Sequence, residues 1–122
     1  MPRKSAAPVT YSVTFSADAE RDFELIFDYL FESYVGFGEA AASAINRAEE
    51  RVQAIRGEIG GLAKAPHRGT LHEEILPGLR HATLGRAVVW FDIVEKAGDV
   101  RVLAVFPGGQ DHFRHMLARL LQ

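Results

Sequence analysis

The chain contains no cysteine. Disulfides, thiolate nucleophiles and zinc–thiolate centres are therefore excluded, and the composition fits a reducing, cytoplasmic setting. No apolar run approaches the roughly 18 residues of a membrane-spanning helix, so a membrane is not an expected partner. There is no surplus of positive charge either. Fourteen Lys and Arg face sixteen Asp and Glu, for a net charge of −2. That balance argues against a broad surface for coating nucleic acid. Met1 to Pro8 is charged but has no apolar stretch behind it. It reads as a frayed leader spanning residues 1–10, not a signal peptide.

What is present is one domain, residues 11–122, in a chain that is 48% apolar and long enough to bury a core. Tyr11 to Phe15 alternates apolar and polar residues, the period of a half-buried strand. Ser16 then offers a helix N-cap, with Asp18, Glu20 and Asp22 in the first turns, where the helix dipole favours carboxylates. Ala19, Phe23, Ile26, Phe27, Leu30 and Tyr34 form one helical face, ended by Gly36 and Gly38. A second face runs from Ala41 through Ala44, Ile45, Ala48, Val52, Ile55 and Ile59 to Leu62, and Pro66 closes it. A short link between two amphipathic helices predicts an antiparallel hairpin.

Beyond Ala65 the pattern becomes one of strands. Thr70–Leu76 reads as a short strand or an irregular edge. Leu79–Leu84, Ala87–Val94 and Val100–Phe106 read as three antiparallel strands with turns at Gly85 and at Lys96–Asp99. Pro107-Gly108-Gly109 stops the last one, and Phe113, Met116, Leu117, Leu120 and Leu121 trace a C-terminal helix. The order β-α-α-β-β-β-α predicts a two-layer α+β domain, with the hairpin on one sheet face and the other face open. Residues 1–63 hold six basic against ten acidic residues, and residues 64–122 hold eight against six and all five histidines. The open face and its loops are expected to carry Arg80, Arg86, Arg101 and the histidines.

Within that later half the candidate residues are few. Arg80 is the first choice, since a guanidinium fork suits a phosphate or an acidic patch on a partner. Its alternative role is a structural ion pair tying the strands to the helices. Arg86 follows a turn glycine and reads more simply as a solvated turn residue. His67 and Arg68 occupy a Pro-Gly loop, where exposed functional groups are common. His112 and His115 are three apart on a helix, but no third ligand is evident, so neither a metal nor a cofactor is expected. His72-Glu73-Glu74 lacks the second histidine of a zinc-protease helix. Gln110-Asp111-His112 lacks a nucleophile, and Asp111 reads as an N-terminal carboxylate for the last helix. Phe31 falls off the main helical stripe and marks a candidate apolar patch.

Taken in order, several segments resemble the RelE/ParE superfamily, the toxins of type II toxin–antitoxin pairs. Ser16 to Asp22 resembles the opening of its first helix, Leu62 to Gly69 the exit from its second, and Pro77-Gly78-Leu79-Arg80 the start of its central hairpin. Trp90 to Val94 and Val102 to Phe106 resemble its core strands. The resemblance implies a cognate antitoxin as partner, in a hetero-oligomer with it or in a homo-oligomer. It also implies one of two targets. ParE-like members inhibit DNA gyrase, whereas RelE-like members cut messenger RNA on the ribosome. Cleavage would ask Arg80 to supply a cation and His81 or His112 an acid–base group. The sequence after Phe106 has no basic residue where the nucleases usually carry one, and the C-terminal segment has no tyrosine. The resemblance therefore favours the gyrase-binding branch, with Arg80, Arg86, His67 and Arg68 as contacts to target or antitoxin. A folded relic that binds an antitoxin without toxicity is the third reading.

Overall fold

The computed structural model describes residues 10–108 and 111–122. Residues 1–9 of the expected leader, together with Gly109 and Gln110, lie outside them. The elements are β1 (Ser12–Phe15), α1 (Ala17–Gly36), α2 (Ala41–Gly60), β2 (Thr70–Leu71), β3 (Arg80–Leu84), β4 (Ala87–Val94), β5 (Asp99–Pro107) and α3 (His112–Leu120). A 3₁₀ turn, Gly61–Ala63, ends α2, and another, Glu95–Ala97, links β4 to β5. Ser16 caps α1, its hydroxyl accepting from the Ala19 amide at 3.0 Å.

The sheet has the order β1-β5-β4-β3-β2. The three long strands are antiparallel, as their short links require, while β1 lies along β5 in parallel. The sheet is therefore mixed. Thr70–Leu76 resolves into a two-residue strand and an irregular return.

One expectation fails. The second sheet face is not open. The first face packs Ala82, Leu84, Ala87, Val89, Phe91, Val100, Val102 and Val105 against Phe23, Ile26, Val52 and Ile59 of the helical hairpin. The opposite face packs Leu79, Val88, Trp90, Ala104 and Phe106 around Met116 of α3. The cause lies in β4, where Ala87 to Phe91 are all buried. An uninterrupted apolar run is what a strand covered on both sides requires, and an open face would have demanded alternation.

A bulge at Leu103 changes the phase of β5, so that Val100 and Val102 before it and Val105 after it share the hairpin face,. Trp90 is opposite Ala104 and Phe91 opposite Val102, so Leu103 is the extra residue,. Beyond Phe15, β1 no longer covers β5. Side chains take over: Asp22 accepts the Val105 amide at 2.9 Å, and the Leu103 carbonyl accepts from Ser16 and Arg119, each at 3.3 Å. A sheet edge is thus closed by three side chains instead of a strand.

Candidate functional site

The period-two alternation of β3 decides how the candidate residues group. Arg80 is opposite Phe91, on the side of the helical hairpin, and His81 is opposite Trp90, on the side of α3. Adjacent in sequence, the two side chains leave opposite faces of the sheet. The expectation of one open face bearing Arg80 and the histidines together is thereby corrected.

On the α3 side, three histidines meet. His72, only 6% exposed, places Nε2 2.6 Å from His81 Nδ1 and Nδ1 3.4 Å from a Glu74 carboxylate oxygen. The His81 and His112 rings are 4.9 Å apart between centroids. Trp90 lies 4.9 Å from His81 and 5.1 Å from His72, and Phe113 closes the cluster edge-on at 5.4 Å from His81. Burial pushes the His81 imidazole below its ordinary value, and charge on His112 and His72 adds to the effect,. His112 is lowered by burial as well, against an opposing pull from Asp111. His72 was given no role by the sequence, because a two-residue β2 offers no periodicity from which to place it.

On the hairpin side, Arg80 donates to the His67 carbonyl at 3.0 Å. The His67 ring meets Glu95 at 2.8 Å, and the Tyr11 hydroxyl donates to the other Glu95 oxygen at 2.9 Å. Those two hydrogen bonds, with the charges of His67 and Arg80, hold the Glu95 carboxyl below its usual range. The same carboxylate raises the Tyr11 phenol. Half-buried Arg80 and exposed His67 therefore form one constellation, which neither the Glu95 nor the Tyr11 position foretold. Arg68 is exposed beside it. Arg86 is exposed in the turn after β3, beyond a strand that runs about 13 Å from Arg80 to Leu84 at ~3.3 Å per residue,, and its carbonyl accepts from Gly108 at 2.7 Å. Arg86 does not join Arg80.

The remaining candidates separate. His112 turns to His81 while His115 lies beside Phe106 at 5.6 Å, so the two make no pair. Among the described residues no group of three or more His, Asp or Glu side chains could hold a metal ion. Arg101 is neutralised by Asp92 at 2.9 and 2.6 Å. Asp111 does cap α3, accepting from the Arg114 amide at 3.3 Å. Phe31 stacks on Phe27 at 6.5 Å, whereas the large apolar residues of α1 that stand exposed are Val35, near its end, and the pair Leu25 and Tyr29. These two line a groove of about 310 Å³ with Val105, Phe106, Pro107 and Arg119. Arg119 reaches back from α3 to form a two-pronged pair with buried Asp22, at 2.8 and 2.9 Å.

This arrangement, a helical hairpin on one face of a mixed sheet and a C-terminal helix on the other, is the RelE/ParE-like α+β fold. A chain of the chromosomal ParDE TA system from P. aeruginosa superposes with a TM-score of 0.59 at 22% identity, over 81% of this chain and 97% of its own. A chain of the toxin–antitoxin complex RelBE2 from Mycobacterium tuberculosis superposes with a TM-score of 0.52 at 21% identity, over 87% and 100%. No protein-family model and no curated protein matches the sequence. No helix among the described residues is long and apolar enough to cross a membrane.

Proposed function

We propose that this chain is the toxin of a type II toxin–antitoxin pair, neutralised by a cognate antitoxin and acting by binding and inhibiting DNA gyrase. A shared fold does not by itself carry an activity, so the reading rests on the site. The observation that carries it is the division of β3. Cleavage of a phosphodiester needs a cation and an acid–base group at one phosphate, and Arg80 and His81 leave opposite faces of the sheet. What remains around Arg80 is an exposed polar constellation suited to binding. The groove between α1, β5 and α3, with Leu25 and Tyr29 exposed at its rim, supports an antitoxin segment that folds as it binds.

The test is a supercoiling assay with purified chain. Inhibition is expected, and should be relieved by a cognate antitoxin. Gyrase unaffected at saturating chain would remove the reading. One observation favours ribosome-dependent messenger RNA cleavage instead, namely the 4.9 Å approach of His81 and His112. That alternative requires new cuts in translated message, mapped by primer extension, that vanish in His81→Phe. Unimpaired growth under strong expression without antitoxin would identify a non-toxic relic.

A further inference from the structure

The three histidines are held by three separate segments: His72 follows β2, His81 belongs to β3, and His112 begins α3. At 2.6 Å, His72 Nε2 and His81 Nδ1 share one hydrogen bond, in which one nitrogen donates and the other accepts,. An imidazolium has two donors and no acceptor, so the contact survives with one of the two rings charged and becomes a repulsion when both are. His112, 4.9 Å from His81, has its Nδ1 buried with no partner among the described residues, and the same holds for Trp90 Nε1. A proton added at that nitrogen finds no acceptor.

We propose that His72, His81 and His112 form a proton-sensitive latch that holds α3 on the sheet near neutral pH and releases it on acidification. The charged groups facing the cluster are few. Glu74 approaches His72 Nδ1 from the β2–β3 segment but is itself exposed. Asp111 flanks His112 on α3 and is engaged by Arg114 at 3.2 Å. From β4 comes Trp90, which is uncharged, and His115 on α3 faces Phe106. On the far flank of α3 the Asp22–Arg119 pair remains. Three imidazoles thus meet two exposed carboxylates. The direction of linkage follows. His81 and His112 are held below their ordinary value of 6.5, so docked α3 binds fewer protons than released α3. Docking is fully favoured above that value and is lost as pH falls through the lowered ones. Release would uncover Val88, Trp90, Ala104 and Phe106.

Amide hydrogen exchange of the whole chain, expressed as protection factors between pH ~7.5 and ~4.5, tests the latch. Protection in α3 should fall tenfold or more as the histidines titrate, while α1 and β4 stay protected. The emission of Trp90, the chain's single tryptophan, should shift to the red over the same interval. In His81→Phe/His112→Phe, where rings remain but the protons cannot bind, α3 should stay protected. Release at an unchanged pH in that variant would mean that His81 and His112 do not set it, and would overturn the proposal. If the variant does not fold, ring NMR of the unaltered chain decides. Imidazoles that titrate while α3 protection holds constant would equally overturn it.

Discussion

At the scale of single residues, Asp22 departs furthest from its expected role. A carboxylate in the first turns of a helix suggests an exposed partner for the dipole, yet Asp22 is 5% exposed and joins α1, α3 and the edge of β5. Asp22→Ala would strand the Arg119 guanidinium and the Val105 amide together. The expected loss is about 3 kcal/mol, the cost of breaking a mostly buried pair. Asp22→Asn keeps an acceptor for Val105 and should lose less, about 1–2 kcal/mol. Urea denaturation of both variants measures the difference, and equal losses would mean that the amide bond contributes nothing. Two glycines make a second contrast. Gly38 and Gly69 both have positive φ, at 99° and 86°. A Cβ on Gly38 meets open space, whereas one on Gly69 would lie 2.3 Å from the His81 carbonyl oxygen. Gly38→Ala should cost about 1–2 kcal/mol, the strain of the left-handed region. Gly69→Ala should cost clearly more in the same denaturation assay, because backbone must move.

At the scale of elements, most of the architecture was legible in the sequence because each signal was local. Ser16 followed by an acidic first turn gives α1 its start, and apolar spacing gives both helices their inward faces. Ser16→Ala should cost about 1 kcal/mol, with thermal denaturation as the readout, and Ser16→Asp should restore the cap but not the hydrogen bond to the Leu103 carbonyl,. What was misjudged was the coverage of the sheet. The unbroken run Ala87 to Phe91 already demanded two buried faces, but a C-terminal helix of nine residues was a weak candidate to cover one of them. The separation of Arg80 from His81 was equally available from the two-residue period of a strand. The histidine cluster was not, since His72 reaches it through an irregular return with no period, and only the tertiary fold brings α3 to β3. Nor could spacing reveal that Asp22 and Arg119 meet across 97 positions.

At the scale of the whole molecule, β3 presents Arg80 and His81 to opposite sides of the sheet, and that division can be tested by one substitution. Arg80 makes one hydrogen bond among the described residues, to the His67 carbonyl, and stands half-buried at the rim of the hairpin side. Its removal leaves that carbonyl free to meet water at an exposed loop, so Arg80→Ala should lose less than about 1 kcal/mol of stability. If the hairpin side is where a target is met, the same variant should weaken gyrase inhibition tenfold or more, because a desolvated arginine at the centre of an interface commonly contributes 2 kcal/mol or more. The α3 side should not notice: the pH at which α3 loses hydrogen-exchange protection should be the same with and without the Arg80 side chain. A variant that kept full inhibition would move the contact elsewhere. One that shifted α3 release would mean that the two faces of the sheet are coupled through β3, and the separation of cation from histidine would then no longer argue against a common site.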